Sequence, residues 1–448
     1  MKTSPSNTIY RDFDIRGKYP EEINDEEVFK IATALTKYFT CKSVAIGFDY
    51  RPSAEALVNS LTKGFRESGV DVIHLGLTTT PMSYFVCGST NVDMTIMVTA
   101  SHMPAEYNGL KITIQDAKPV TGDILQEIRK IVGAHTFSET ATHGNISNHA
   151  LQAVWIASFK SRHDLSRANL KVVIDPANMV GILEIATFKA FEPDITVYTL
   201  FDTLDHTCPN HEANPLQEDT LRALQAEVLY RGADIGIAFD GDADRVGFVD
   251  ELGKIIASDQ IGALLARRIL TQTPGATIIC DVRTSKATVE LIEIMGGKVL
   301  REKVGHTHIR SRMRKEGAVL GIELSGHFFF KETYFSEGGA LPAFLIMELM
   351  KEEKKTLSAL VAEVRGHFQS GEINSTVTSS AEEIYEKLKT AWPEGKVSTL
   401  DGLTLDAGSW WLNVRPSAND PVVRLNVESE TEAEMVQVRD MALKIIRA

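Results

Sequence analysis

Cysteine is scarce in this chain. Only four occur among 448 residues, at Cys41, Cys87, Cys208 and Cys280, with neither CxxC pairing nor the spacing of a zinc site. This scarcity excludes a small disulfide-stapled scaffold. It predicts buried thiols in a reducing compartment, which is the first indication of a cytoplasmic protein.

Basic clusters and long apolar runs are also missing. The net charge is −13, so the phosphate backbone of a nucleic acid would repel the chain, and we expect no nucleic-acid partner. The most apolar stretch, residues 341–350, is too short to span a bilayer and contains Glu348. The N-terminus lacks the apolar core of a signal peptide. These absences predict no membrane partner and a cytoplasmic location.

What is present is a repeated α/β pattern. Residues 43–57, 170–184 and 277–291 each read as an apolar strand, a terminal aspartate (Asp49, Asp175 and Asp281) and a short turn into a helix. Continuously apolar strands indicate sheets covered by helices on both faces. From about Gly366 the pattern changes to shorter alternating strands. We therefore predict three α/β domains (1–150, 151–252 and 253–365) and a C-terminal α+β domain (366–448).

A serine lies at the end of an apolar strand in VTASHMPAEYN. Ser101 and His102 follow the strand, where a side chain is exposed and held rigidly, as a nucleophile or phosphate carrier requires. An ordinary polar loop serine is the alternative. In the alternating segment GLKITI, Lys111 is either an acid/base group directed at the serine or a solvated strand lysine.

The segment DIGIAFDGDADR places Asp240, Asp242 and Asp244 at alternate positions after another apolar strand. Three neighbouring carboxylates repel one another and favour a divalent cation with oxygen ligands. An EF-hand, with Glu251 as twelfth ligand, is disfavoured because Arg245 replaces the required glycine and a strand precedes the loop. An aspartyl-phosphate nucleophile remains an alternative.

Two further loops carry polar groups. In GIELSGHFFF we expect an extended segment with Glu323, Ser325 and His327 on one face, suited to the vicinal hydroxyls of a sugar. Near the C-terminus, Arg415, Ser417, Asn419 and Arg424 have the donors of an anion site. An edge-strand Glu–Ser pair and a charged hairpin are the respective alternatives. Together the four loops predict a phosphorylated sugar as substrate, and the absence of a Walker loop or dinucleotide fingerprint gives no indication of ATP or NAD.

The set FDIRG, TASHMPAEYNGLK, DGDADR, GIELSGH and RPSANDP resembles the α-D-phosphohexomutases, most of all their phosphomannomutase/phosphoglucomutase branch. The resemblance covers essentially the whole chain. It implies three α/β domains with mixed sheets and a C-terminal α+β, phosphatase-like domain around a central cleft. It also implies reversible interconversion of hexose 1-phosphate and hexose 6-phosphate, of mannose, glucose or both, through a phosphoserine and a hexose 1,6-bisphosphate.

The resemblance further implies a role for each motif residue. Mg²⁺ is the implied cofactor and hexose 1,6-bisphosphate the implied activator. The implied catalytic residues are Ser101, His102, Lys111, Arg16, Arg245 and His306. The implied metal ligands are Ser101, through its phosphate, with Asp240, Asp242 and Asp244. The implied substrate-binding residues are Arg283, Glu323, Ser325, His327, Arg415, Ser417, Asn419 and Arg424.

Departures from the family pattern concern the substrate more than the reaction. Met103 stands where asparagine is usual, and Asn419 and Asp420 stand where Thr-Glu is common. Ser336 and Glu337 stand where the family usually has two acidic residues. A phosphoglucosamine or phosphopentose mutase, a phosphatase, and a catalytically weak sugar-phosphate-binding protein therefore remain alternatives. We expect a monomer or dimer with small-molecule sugar phosphates as its partners.

Overall fold

The computed structural model describes residues 9–134, 140, 142–364, 366–416 and 422–448. The chain divides into two compact units. Met1–Ala257 and Ser325–Leu360 form the first unit, and Ser258–Leu324 and Val361–Ala448 form the second. Within the described parts, no helix has the length and apolar character needed to cross a bilayer.

The first unit begins with a mixed sheet. Its strands are β1 (Ile15–Lys18), β2 (Ser43–Phe48), β3 (Asp71–Leu77), β4 (Met94–Val98), β5 (Tyr107–Ile114), β6 (Lys118–Pro119) and β7 (Ile146–Asn148). Its helices are α1 (Asp25–Phe39), α2 (Ala54–Glu67), α3 (Thr80–Ser89) and α4 (Gly122–Ala134). The spatial order is β1-β5-β4-β2-β3-β7, with β6 beside β5. Strands β4, β2, β3 and β7 run parallel, whereas β5 is antiparallel to both β4 and β1.

Apolar strands and amphipathic helices build the core of this sheet. All five residues of β4 are buried, as expected for a central strand covered on both faces. Helix α1 starts at the Asn24 cap, whose side chain accepts a hydrogen bond from the Glu27 N–H. Its inward face buries Val28, Ile31 and Leu35. The rigid β4 core thus ends immediately before the Ser101 loop.

A second mixed sheet completes the N-terminal part of the first unit. Its strands are β8 (Leu170–Asp175), β9 (Ile195–Thr199), β10 (Ile235–Phe239), β11 (Val246–Asp250) and β12 (Ile255–Ile256). Its helices are α5 (Leu151–Lys160), α6 (Ile182–Lys189) and α7 (Arg222–Arg231). In the order β12-β11-β10-β8-β9, strands β10, β8 and β9 are parallel and β11 reverses direction. The Asp240 loop connects β10 to β11.

The second unit starts with three parallel strands. They are β13 (Thr277–Asp281), β14 (Lys298–Glu302) and β15 (Leu320–Ile322), in the order β14-β13-β15. The accompanying helices are α8 (Ser258–Gln272), α9 (Lys286–Ile294) and α10 (His306–Glu316). The chain then returns to the first unit with the antiparallel strands β16 (Phe328–Phe330) and β17 (Ser336–Glu337), followed by helix α11 (Ala340–Glu353). Helix α12 (Leu357–Val364) contains the boundary with the second unit, which resumes at Val361.

The C-terminal part of the second unit is an antiparallel sheet with two helices. Its strands are β18 (Phe368–Gln369), β19 (Ile373–Ser375), β20 (Lys396–Ser398), β21 (Leu403–Asp406), β22 (Trp410–Pro416) and β23 (Val423–Ser429). Its helices are α13 (Ala381–Ala391) and α14 (Glu432–Ile446). Strand β23 pairs with β18, β19 and β22, and the inner faces of the strands pack with both helices in one hydrophobic cluster. The predicted α+β character of the C-terminal part is confirmed.

The predicted repeat is also confirmed. Asp49 directly follows β2, and Asp175 and Asp281 are the last residues of β8 and β13. All three carboxylates are fully buried. Each is followed by a loop into a helix, so the strand–aspartate–helix pattern recurs at one position of three sheets.

A buried carboxyl next to helix α3 makes stability depend on pH. Glu184 accepts hydrogen bonds from Thr79 Oγ1 (3.1 Å) and Trp155 Nε1 (2.8 Å). Burial outweighs these bonds and raises the pKa of Glu184 from 4.5 to about 7. Since the folded protein favours the neutral acid, stability is greatest below pH 4.5 and falls as pH rises toward 7. The loss amounts to about 3 kcal/mol above pH 7.

We therefore expect Glu184→Gln to gain melting temperature relative to the parent protein between pH 5 and pH 8, because glutamine cannot ionise. A thermal-melting series over this range measures the difference, and Glu21→Gln, at an exposed carboxylate, is the control. A difference between Glu184→Gln and the parent that does not change with pH would contradict the assignment.

Candidate active site

Ser101 is the central residue of the first unit's polar cluster. It lies in the turn after β4, is 2% exposed and has a left-handed backbone with φ of 56°. Its Oγ donates to Asp240 Oδ2 at 2.8 Å and lies 3.1 Å from His102 Nδ1. Its backbone N–H donates to Thr99 Oγ1 at 2.9 Å. The serine is therefore a buried, oriented hydroxyl rather than a solvated loop residue.

The three predicted carboxylates lie together beside this serine. Asp240, Asp242 and Asp244 are each at most 1% exposed, and one oxygen from each lies within 4.8 Å of the others. Gly241 is required by the close approach of the two loops, because a Cβ there would be 2.3 Å from the carbonyl oxygen of Ser101. The spacing of the aspartates thus brings them to the serine hydroxyl.

The charge of this cluster fits a divalent cation. Burial, with the charges of Asp244 and Asp242, raises the pKa of Asp240 to about 8. Asp242 Oδ1 is buried without a hydrogen-bond partner among the described residues. An all-oxygen set with an unsatisfied buried acceptor is typical of a Mg²⁺ or Ca²⁺ site. The Asp cluster can therefore bind a metal ion.

Lys111 offsets part of this negative charge. It lies on β5, is 7% exposed, and its Nζ contacts Asp242 Oδ2 at 2.6 Å and also Asp244 Oδ2. Burial opposes the ammonium form, but the two carboxylates hold the pKa of Lys111 well above its usual value. Lys111 is thus a buried cation of the Asp cluster, and not the solvated strand lysine of the alternative.

Arg16, Arg245 and His102 lie close to the Asp cluster. Arg16, on β1, pairs with Asp14, and the Arg245 N–H donates to Asp240 Oδ1 at 3.2 Å. Burial, followed by the charges of Arg245 and Arg16, holds the pKa of His102 well below its usual value. His102 is therefore neutral at physiological pH.

His327 joins the same cluster from the β15–β16 connection. Its Nε2 lies 3.2 Å from Asp244 Oδ1, and its Nδ1 lies 2.8 Å from Ser325 Oγ. Gly326 between them has φ of 82°. The extended segment expected for Glu323, Ser325 and His327 is therefore wrong: the chain turns here, and Glu323 belongs to the second unit while Ser325 and His327 belong to the first. The glycine permits the left-handed turn that the alternating pattern concealed.

A pocket of about 380 Å³ opens beside Ser101 in the first unit. One wall consists of the serine loop and Arg51. Residues from the segment 206–217, among them His206 and Glu212, also line this pocket. The serine loop is therefore accessible to small molecules although Ser101 itself is buried.

The second unit holds a separate cluster of cations. Arg283 Nη1, Arg415 Nη2 and Arg424 Nη1 lie 3.3, 3.1 and 3.1 Å from carboxylate oxygens of Glu372. Arg283 also pairs with Asp281 at 2.7 Å and lies 3.8 Å from Glu323. Three guanidinium groups that share one carboxylate have the donors of an anion site.

Glu323 and His306 lie at one end of α10. Glu323 Oε1 accepts a hydrogen bond from the Gly305 N–H at 2.9 Å, and His306 is the first residue of the helix. The second unit thus brings together Arg283 with Glu323 and Arg415 with Arg424. Ser417 and Asn419 lie outside the described residues.

Comparison with known proteins identifies the chain. The sequence matches the phosphoglucomutase/phosphomannomutase alpha/beta/alpha domains I, II and III over residues 8–139, 151–253 and 257–367. The C-terminal domain of the same family matches residues 351–445. The chain belongs to the phosphoglucomutase/phosphomannomutase family.

Individual members of the phosphoglucomutase/phosphomannomutase family are similar over their full length. A phosphomannomutase of Escherichia coli strain K12 is 35% identical over 97% of this chain and 98% of that protein. A phosphomannomutase/phosphoglucomutase of Pseudomonas syringae is 33% identical over 97% of this chain and 94% of that protein. The crystal structure of a family protein from Burkholderia thailandensis superposes with a TM-score of 0.89 at 29% identity, covering 98% of this chain and 97% of that one.

These similarities confirm the predicted family, the α/β and α+β fold class and the enzyme class, a phosphohexomutase of the isomerase type. The four domain limits and the role of each site residue remain predictions.

Sequence reasoning missed two residues of this phosphohexomutase. Glu372, in a segment without a recognisable motif, holds three arginines together. Arg51 donates to four carbonyls of the Ser101 loop. The only sequence signal for Arg51 is the Asp-x-Arg shared by residues 49–51 and 281–283.

Proposed function

We propose that this chain interconverts hexose 1-phosphate and hexose 6-phosphate, of mannose, glucose or both, with Ser101 as the phosphate carrier and hexose 1,6-bisphosphate as the intermediate. The observation that carries the proposal is the 2.8 Å hydrogen bond from Ser101 Oγ to Asp240 within the buried cluster of three carboxylates. A phosphorylatable oxygen beside a cation site and fixed positive side chains is what phosphoryl transfer requires.

Mg²⁺ is the cofactor that we propose for the Asp cluster, with Asp240, Asp242, Asp244 and an oxygen of the Ser101 phosphate as ligands. When bound, it would neutralise negative charge on the transferred phosphoryl group. The carboxylate oxygens and the unsatisfied Asp242 Oδ1 support this choice.

The protein's own groups supply the remaining chemistry. In the forward step the sugar hydroxyl oxygen forms a bond to phosphorus while the bond from phosphorus to Ser101 Oγ breaks. The sugar hydroxyl loses its proton and Ser101 Oγ gains one, and we assign both transfers to neutral His102, whose Nδ1 lies 3.1 Å from Ser101 Oγ. Lys111, with its raised pKa, stays protonated and neutralises charge, and we assign Arg16 and Arg245 the same role. The reverse step on the other phosphate returns the phosphoryl group to Ser101.

We assign the arginine cluster of the second unit to the phosphate that does not react. Arg283, Arg415 and Arg424 already converge on the Glu372 carboxylate, so a phosphate would satisfy the same donors. We assign Ser417 and Asn419 to the same phosphate, and Glu323, Ser325 and His327 to sugar hydroxyls. His306 is a proposed second proton carrier.

Arg424→Ala is expected to raise KM for a hexose 1-phosphate about 10-fold while leaving kcat within about 3-fold, because it removes one charge-assisted hydrogen bond from binding alone. Steady-state kinetics measure the separate effects on KM and kcat. Arg439→Ala, which removes a partly exposed arginine of α14, should change neither constant. A fall in kcat with unchanged KM would contradict the assignment.

A phosphorus NMR time course tests the function. Glucose 1-phosphate, mannose 1-phosphate and glucosamine 1-phosphate are incubated separately with the protein, Mg²⁺ and a trace of glucose 1,6-bisphosphate. Conversion of the first two to their 6-phosphates would support the bifunctional mutase, whereas conversion of the amino sugar alone would indicate a phosphoglucosamine mutase. Free phosphate without an isomer would indicate a phosphatase. Binding without exchange would indicate a sugar-phosphate-binding protein, with Met103 the first residue to restore to asparagine.

A further inference from the structure

Arg51 is a buried arginine that no motif of the reaction includes. It is 7% exposed, and its Nε donates to Asp49 Oδ2 at 2.9 Å. The same Asp49 oxygen accepts a hydrogen bond from Thr99 Oγ1 at 2.6 Å. Thr99 Oγ1 in turn accepts the Ser101 N–H. A fully buried carboxylate is thus connected to the serine loop at both Arg51 and Thr99.

The rest of the guanidinium group is bonded to carbonyls of the same loop. Nη1 donates to Pro104 O at 2.8 Å and Tyr107 O at 2.9 Å. Nη2 donates to Ser101 O at 2.6 Å and Met103 O at 2.8 Å. All five N–H groups of Arg51 therefore have an acceptor. Only a planar fork with five donors satisfies this set, so lysine is not an equivalent.

These bonds fix a backbone conformation that Ser101 would not adopt readily by itself. Its φ of 56° lies in the left-handed region, which is unfavourable for a residue with a Cβ. The Ser101 carbonyl is held by Arg51 and its N–H by Thr99, so both peptide groups of the residue are tied to the Asp49–Arg51 pair. The resulting conformation directs Oγ toward Asp240.

The second Asp-x-Arg of the repeat provides an internal contrast. Arg283 pairs with Asp281 as Arg51 pairs with Asp49, but its other contacts are the carboxylates of Glu372 and Glu323. The same local motif thus presents one guanidinium to carboxylates and the other to backbone carbonyls. The loop contacts of Arg51 are therefore specific to the Ser101 sheet.

We propose that Arg51 is a positioning residue that holds the Ser101 loop, residues 99–107, in the conformation required for phosphoryl transfer. The proposal rests on the proposed function of Ser101. Arg51 acts through five hydrogen bonds and contacts no reacting atom. Its loss should therefore misplace the carrier oxygen without affecting recognition of the sugar phosphate.

The test compares Arg51→Lys and Arg51→Ala with the parent protein and with Ser101→Ala. Arg51→Lys keeps the charge and the aliphatic chain, and we expect it to lower kcat about 100-fold with KM within about 3-fold, because small misplacement of a reacting group has effects of this size. Arg51→Ala should lose at least as much. Since Arg51 lines the pocket beside Ser101, millimolar methylguanidinium should restore part of the kcat of Arg51→Ala and none of that of Arg51→Lys.

The outcomes separate this proposal from the proposed function. Full kcat in Arg51→Lys, or a change confined to KM, would overturn the positioning role of Arg51. If Ser101→Ala is inactive in the same assay, the proposed mutase function still stands. Unfolding of both Arg51 variants in a thermal melt would also overturn it, because Arg51 would then be a structural residue. Full turnover by Ser101→Ala would instead refute the function itself.

Discussion

Replacing Ser101 with alanine is expected to lower kcat by at least about 10⁴-fold, because the variant lacks the oxygen that carries the phosphoryl group between the two halves of the reaction. The hydroxyl is oriented in advance by its 2.8 Å bond to Asp240. Turnover should be measured by phosphorus NMR with saturating Mg²⁺ and glucose 1,6-bisphosphate. An added bisphosphate cannot replace the carrier, so the activator should not restore activity.

The control is a serine of similar burial in the second unit. Ser375 is 6% exposed, and its Oγ accepts a hydrogen bond from Arg447 at 3.1 Å, so Ser375→Ala should keep the parent kcat. Intact-mass measurement after incubation with bisphosphate should show phosphorylation in the parent and in Ser375→Ala, but not in Ser101→Ala. Full turnover by Ser101→Ala under these conditions would refute the phosphoserine mechanism.

The parts of the site that the sequence predicts are those encoded locally. An apolar strand ends, a glycine-containing loop begins, and the alternating spacing places Asp240, Asp242 and Asp244 in one cluster. Ser101 is predictable for the same reason, since its strand β4 is largely apolar. In both loops the chemistry lies within a few residues of a strand end, so strand periodicity is sufficient to locate it.

The parts that it does not predict depend on contacts between distant segments. The sequence leaves Lys111 either as an acid/base group or as a solvated strand lysine, and only the pairing of β5 with β4 and the contact with Asp242 decide between them. Glu372 gains its role only where three arginines from separate strands and loops meet. Position 326 shows a third cause, because one left-handed glycine turns the expected extended segment. Propensity and spacing describe neither long-range pairing nor single backbone inversions.

The geometry also tests the EF-hand interpretation of the acidic loop, which the sequence disfavours. An EF-hand counted from Asp240 would use Glu251 as its twelfth ligand. In the structure, Glu251 instead accepts hydrogen bonds from the Ser358 N–H at 3.1 Å and from Ser358 Oγ. It therefore caps the start of α12, and the carboxylate ligands of the metal must come from the three aspartates.

Because the three aspartates and not Glu251 surround the cation site, replacing one of these aspartates should have a large effect on metal binding and on kcat. Asp242→Asn is expected to weaken Mn²⁺ binding, measured by electron paramagnetic resonance, at least about 10-fold and to lower kcat about 10³-fold, because a metal site loses one of its anionic oxygens. The metal-free variant should melt no lower than the parent, since it relieves repulsion among three buried carboxylates that Lys111 only partly offsets.

Glu251→Gln is the matched control, because it removes one carboxylate charge from the same loop region but outside the cluster. If Glu251→Gln lost Mn²⁺ as Asp242→Asn does, the EF-hand interpretation would be favoured. Retained binding in Glu251→Gln, with loss in Asp242→Asn, would place the cation at the serine hydroxyl, where its charge can act on the phosphoryl group.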